Sequence, residues 1–186
     1  MIKKIQIKNI CCLGAGYVGG PTMAVIADKN RNININVVDI SKDRINQWNC
    51  DDLDNLPIYE KGLKEILKRT RGINLFFTTD VENAIKKADM VFIAVNTPTK
   101  SEGFGAGYAS DLKWIEACAR QISEFSEGHT IVVEKSTVPV KTAQVIKKLF
   151  EMLKTDDGDY IKKTFSVLSS PEFLAEGTAR NALQNP

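Results

Sequence analysis

Histidine occurs once in this chain, at His129, and the four cysteines (Cys11, Cys12, Cys50 and Cys118) include no CxxC pair. Zinc sites and disulfide frameworks both need spaced, paired ligands, so neither is expected, and a reducing, cytoplasmic compartment is. No apolar run is long enough to cross a bilayer, and the opening "MIKKIQIKNI" has lysines without the apolar stretch of a signal peptide. Charge of one sign is also lacking: 25 Lys+Arg against 23 Asp+Glu leave +2. That excess is no electrostatic footprint for nucleic acid or an anionic membrane. Low-complexity tracts and internal repeats are absent too. What is there, 43% hydrophobic and 26% charged residues over 186 positions, suits one soluble globular domain with a substantial core.

One alternation fills the chain. Strand-like runs ("IKNICCLG", "NININVVDI", "NLFFTT", "DMVFIAV", "TIVVE", "TFSVLSS") take turns with helical segments. The helices expected are "GAGYVGGPTMAVIADKN" after a glycine turn, "SKDRINQWN" capped by Ser41, and "IYEKGLKEILKRTRG" stopped by Gly72. Further on come "DVENAIKKA" capped by Asp80, then "SDLKWIEACARQISEFS" and "PVKTAQVIKKLFEML". In the fifth helix Trp114, Ala117, Cys118, Ile122 and Phe125 are expected on one apolar stripe. Strands such as "MVFIAV" are apolar in succession rather than alternating, as when helices cover both faces. The fold class is therefore α/β, a doubly wound parallel sheet of Rossmann-like type. Right-handed crossovers then put every strand's C-terminal end on one edge, where ligands bind.

The first turn reads Gly14-Ala15-Gly16-Tyr17-Val18-Gly19. In a dinucleotide fingerprint the first glycine permits the tight turn, the second lets backbone approach a pyrophosphate, and the third lets helix and strand pack closely. Asp39 closes the second strand, 20 residues past Gly19, where a carboxylate accepts from the adenosine ribose. The plainer alternative is three structural glycines and a helix-capping aspartate. A carboxylate at Asp39 repels a 2′-phosphate, so NAD is expected over NADP. Arg44 leaves room for other readings, because an arginine there can hold that phosphate, stack on adenine or bond the ribose.

Three later segments reach the same edge: "AVNTPTK", "EKSTVPV" and "SSPEFLAEG". Each carries hydroxyls, a proline-fixed turn or carboxylates where the nicotinamide end of a dinucleotide would lie. Taken singly, Thr97-Pro98 and Ser136-Thr137 also read as helix-entry turns. Likewise Glu172 reads as a helix-start carboxylate and Glu176 as a solvated charge.

Five segments in order, "GAGYVGGPT", "LPIYEKGL", "VNTPTK", "EKSTVPV" and "PEFLAEGTA", resemble the N-terminal half of the UDP-glucose 6-dehydrogenases of the UDP-glucose/GDP-mannose dehydrogenase family. The resemblance covers essentially the whole chain. "FLAEG" is similar to the eukaryotic form, whereas GDP-mannose dehydrogenases and many bacterial relatives typically carry arginine in place of Ala175. It implies a four-electron oxidation of UDP-glucose to UDP-glucuronate with two NAD and water. Residues 1–186 would be the NAD-binding domain, with the central helix and C-terminal UDP-sugar-binding domain absent from this chain. The full-length protein would be a homo-oligomer.

Residue by residue, the resemblance places NAD on Gly14, Ala15, Gly16, Tyr17, Val18 and Gly19, on Asp39 and Arg44, and on Val95, Asn96, Thr97, Pro98 and Thr99. It adds Ser136, Thr137, Val138 and Glu176. It makes Glu172 the general acid/base and Thr137 the holder of a catalytic water. Substrate contacts fall on Glu172, Phe173, Leu174, Ala175 and Glu176, and residues 135–141 resemble a mobile allosteric loop. The family's catalytic cysteine lies in a later domain, and none of the four cysteines here stands in for it. The chain alone is thus expected to be inactive. A truncated, non-catalytic NAD-binding or subunit-interacting protein, or another nucleotide-sugar dehydrogenase of the family, are the alternative readings. Departures from the pattern are Ser170 for asparagine, Lys61 for proline, a longer acidic "CDDLDN" loop, and "GAGYASD" without its usual basic pair.

Overall fold

The computed structural model describes residues 6–103, 106–108, 110–136, 142–152 and 163–170. In chain order the elements are β1 (Asn9–Leu13), α1 (Gly19–Lys29), β2 (Asn34–Val38), α2 (Lys42–Asn49), α3 (Leu63–Thr70), β3 (Leu75–Thr78) and α4 (Val81–Lys86). They continue with β4 (Met90–Ile93), α5 (Lys113–Phe125), β5 (His129–Glu134), α6 (Thr142–Met152) and β6 (Thr164–Ser169). The six strands form one sheet in the order β3-β2-β1-β4-β5-β6, and every pairing is parallel. This is the doubly wound arrangement expected from the alternation. Strand order reverses between β1 and β4, which opens a crevice at their C-terminal ends.

Two apolar cores explain why the strands read as unbroken apolar runs. Cys12 of β1 packs with Met23, Trp48, Ile66 and Leu67 on one face. Its neighbour Cys11 packs with Ile85, Ile115, Ile122 and Ile146 on the other. Successive side chains point to opposite faces, so a sheet covered on both sides needs both positions apolar. Coverage thins toward the edges, where Phe76 of β3 is 37% exposed and Leu168 of β6 52%.

Local signals set most boundaries. Ser41 Oγ accepts the Arg44 N–H at 3.3 Å and the Asp80 carboxylate accepts the Asn83 N–H at 3.1 Å, capping α2 and α4 as expected. Helix α3 begins at Leu63, where the helical spacing of Leu63, Ile66 and Leu67 begins, and not at the start of the "IYEKGLKEILKRTRG" segment. The cause is Gly62, whose left-handed φ of 80° breaks the helical path. The apolar stripe on α5 also needs correction. Ile115, Cys118, Ala119 and Ile122 are the buried residues, while Trp114 is 43% exposed and Ala117 is exposed as well. The helix is rotated from the expected setting, and the displaced side of the stripe faces the crevice.

A buried tryptophan braces the start of the fold. Trp48 stacks on Phe77 with ring centroids 4.6 Å apart, and its Nε1–H donates to Ala15 O at 2.8 Å. It also lies against Gly20, where a Cβ would fall 2.2 Å from the indole Cζ2. Gly20, outside the fingerprint, is thus required by packing.

Candidate cofactor site

The turn from β1 to α1 uses its three glycines in three different ways. Gly14 has φ 109°, and a Cβ there would sit 2.4 Å from Ala94 O of the β4 end. A Cβ on Gly19 would sit 1.9 Å from Gly14 O, so the helix can approach the strand only without one. At Gly16 nothing lies within 4 Å of the Cβ position. That space opens into the crevice and is the place a ligand's backbone-facing group would fill. Helix α1 has no side-chain cap and no acidic residue in its first turn, leaving its N-terminal dipole end to favour an anion.

Asp39, at the end of β2, is 9% exposed. Its Oδ2 accepts the Ala15 N–H at 2.9 Å and Arg44 Nη1 at 3.1 Å, and its Oδ1 accepts the Ser41 N–H at 2.9 Å. A carboxylate has about four acceptor positions, so these three bonds leave one, on Oδ1. The aspartate therefore locks the glycine turn and still retains a place for a ribose hydroxyl. The Arg44 guanidinium is engaged by the same carboxylate, which narrows the readings left open for it.

A cleft of about 390 Å³ begins there. Its apolar end is lined by Val38, Ile40, Val81, Trp114, Ala117 and Cys118, and its floor by Gly14, Gly16 and residues 94–96. The shape suits a flat heteroaromatic ring beside Ile40 and Trp114, with ribose toward Asp39 and phosphates over the glycine turn. A second cleft of about 620 Å³ shares Gly16, Arg44 and Asn96 with the first and is walled by Tyr17, Pro57, Ile58 and Tyr59. Tyr17 Oη donates to Glu60 Oε1 at 2.6 Å, tying the glycine turn to the "LPIYEKGL" segment. Glu60 itself is only 4% exposed. No local signal in the sequence marks that pair, because its partners are 43 positions apart.

The structure brings several of the expected site residues to this edge. Val95 and Asn96 line the first cleft. Pro98 O accepts the Asp111 N–H at 2.7 Å, and Thr99 bridges to Ser110, so the loop after β4 returns on itself. Ser136 is buried, and its Oγ donates to Val95 O at 2.7 Å, joining the ends of β4 and β5. Thr137, Val138, Glu172, Phe173, Leu174, Ala175 and Glu176 lie outside the described residues, as does most of the 135–141 segment.

Similarity to known proteins now bears on this geometry. The NAD binding domain model of the UDP-glucose/GDP-mannose dehydrogenase family matches residues 8–186. The chain belongs to that family. The UDP-glucose 6-dehydrogenase of Gallus gallus is 55% identical over 181 residues, 97% of this chain and 35% of that protein. UDP-glucose 6-dehydrogenase 4 of Arabidopsis thaliana is 59% identical over 178 residues, 96% and 35% of the two chains. Among solved structures, a UDP-glucose dehydrogenase from Pyrobaculum islandicum superposes with a TM-score of 0.77 at 29% identity, covering 97% of this chain and 39% of that one. GDP-mannose dehydrogenase from Pseudomonas aeruginosa gives 0.73 at 32% identity, over 92% and 38%. The chain thus spans about a third of the length of its curated relatives.

As the NAD binding domain of this family, the chain fits its cofactor at the open Gly16 position, the uncapped α1 N-terminus and the spare acceptor on Asp39. Three of its four thiols are unsuited to nucleophilic work. Burial holds the Cys11 and Cys12 thiols far above the ordinary range and pushes Cys118 up to about 12, so they stay protonated at neutral pH. Cys50 is half-buried in the acidic loop. Among the described residues no cluster could hold a metal ion, and no helix is long and apolar enough to cross a membrane.

Glu134, the last residue of β5, is fully buried, and no signal in the sequence singled it out. Burial raises its carboxyl above the ordinary value of 4.5, against the smaller opposing pull of the Ser169 hydroxyl, the Lys135 charge and the Ser136 N–H. A carboxyl whose pKa is raised by folding contributes stability that is fully present below 4.5 and lost as pH climbs through the folded-state value. Glu134→Gln has no proton to lose. Its melting temperature relative to wild type should therefore rise between acidic and neutral pH, and a difference that stays flat across that range would refute the assignment.

Proposed function

We propose that this domain serves a UDP-glucose 6-dehydrogenase, which oxidises UDP-glucose to UDP-glucuronate with two NAD and water in the cytoplasm as a homo-oligomer. The observation that carries the cofactor role is the open Gly16 face beside the Asp39 carboxylate, at the point where strand order reverses. The substrate rests on identity above one half to UDP-glucose 6-dehydrogenases over nearly the whole chain.

In this reading Gly16 and the α1 N-terminus take the pyrophosphate, Asp39 accepts from the adenosine ribose, and Arg44 steadies that carboxylate. Val95, Asn96 and Ser136 meet the nicotinamide end, together with Thr97, Pro98, Thr99, Val138 and Glu176. NAD, when bound, would supply the acceptor for hydride from the sugar's alcohol carbon. Glu172 moves the accompanying proton and Thr137 holds the water consumed in the second half of the oxidation. Glu172, Phe173, Leu174, Ala175 and Glu176 form the wall against the sugar. None of the four cysteines here takes the nucleophile's part in this reading.

Mixing the 186-residue chain with NAD and UDP-glucose tests the division of labour. No growth of absorbance at the wavelength of reduced nicotinamide is expected, although NAD binds. Sustained NAD reduction by the purified chain alone would show that it carries a complete site, contrary to this reading.

A further inference from the structure

Glu134 occupies a position that sheet packing alone would fill with valine or isoleucine. It pairs in register with Ile93 on one side and Ser169 on the other. An isolated buried carboxyl costs stability unless its oxygens are bonded, yet Oε1 has no partner among the described residues. The other oxygen accepts from Ser169 Oγ at 3.1 Å, and the main-chain carbonyl accepts the Ser170 N–H at 2.8 Å. The end of β6 is therefore held to the end of β5 through both side chain and backbone. Two residues on, Ser136 Oγ donates to Val95 O at 2.7 Å, and the Lys135 N–H donates to Ile93 O at 2.9 Å. The roots of the loops after β4, β5 and β6 thus form one hydrogen-bonded row, with Glu134 at its centre.

We infer that Glu134 is a positioning residue for the nicotinamide end of the cofactor site, setting Ser136 by fastening β6 to β5. The inference rests on the cleft being an NAD site. Dinucleotide lying across the strand ends puts ribose over β2 and pyrophosphate over β1 and the end of β4, so the nicotinamide ring, which ADP-ribose lacks, is the part that reaches β5. Loss of the Glu134 tether should therefore weaken NAD without touching a ligand that stops at the diphosphoribose. The carboxyl's raised pKa is in keeping with a site that tolerates a neutral acceptor, so glutamine should serve nearly as well.

Calorimetric titration of the 186-residue chain with NAD and with ADP-ribose decides the matter. In Glu134→Ala, NAD is expected to bind about tenfold more weakly. ADP-ribose should stay within about twofold. Glu134→Gln should restore NAD binding to within about threefold of wild type. Ser169→Ala, which removes the donor from an exposed position and spares the fold, should weaken NAD about threefold and leave ADP-ribose alone. Equal weakening of both ligands, or unchanged NAD affinity in Glu134→Ala and Ser169→Ala, would overturn the inference while leaving the NAD site standing. A wild-type chain that binds neither ligand would remove the NAD site and this inference together.

Discussion

A Gly16→Val chain is expected to fold with a melting temperature close to wild type and to bind NAD at least about a hundredfold more weakly. The two halves of that result come from one observation. The Cβ position of Gly16 meets no atom within 4 Å, and its backbone lies outside the left-handed region, so a side chain costs the fold little. The same emptiness is what the pyrophosphate needs, and two methyl groups there would stand between it and the backbone of the turn. Calorimetry paired with a thermal melt measures both. Parallel loss of stability and binding would mean that Gly16 is a packing residue.

Gly19→Ala should do the reverse and strike the fold first. A Cβ there would lie 1.9 Å from Gly14 O and 3.1 Å from Cys12 Sγ. The first of these atoms is backbone, held by a turn whose N–H donates to Val38 O at 2.7 Å. It cannot swing aside as a flexible side chain would, so α1 must move away from β1 and open the core around Met23 and Trp48. A loss of roughly 3–5 kcal/mol is expected, at the upper end of single substitutions. Chemical denaturation would measure it, and a change below about 1 kcal/mol would show that the helix can slide at little cost.

Much of this was legible because it is local. Caps at Ser41 and Asp80, the glycine turn and the apolar runs depend on neighbours in sequence, and the doubly wound parallel class follows once the alternation is recognised. Asp39 was legible as well, since its distance from the glycines is set by one strand–helix–strand unit. What escaped reading depends on contacts between distant segments. The Trp48–Gly20 contact, the Tyr17–Glu60 bond and the burial of Glu134 under its pairing with β6 leave no periodic trace. The setting of α5 departs from its sequence pattern for a related reason. Trp114 looks like a core residue by type, but the crevice gives an aromatic ring a half-buried place that hydrophobicity cannot tell from the core.

The most direct test of the site is titration of the wild-type chain and of Asp39→Ala with NAD and with NADP. Saturable, one-to-one binding of NAD is expected in wild type, with NADP at least about tenfold weaker because the Asp39 carboxylate faces the 2′ position. In Asp39→Ala both affinities should fall and their ratio should approach one. A folded wild-type chain that fails to bind NAD, or that holds the two cofactors equally, would contradict the site described.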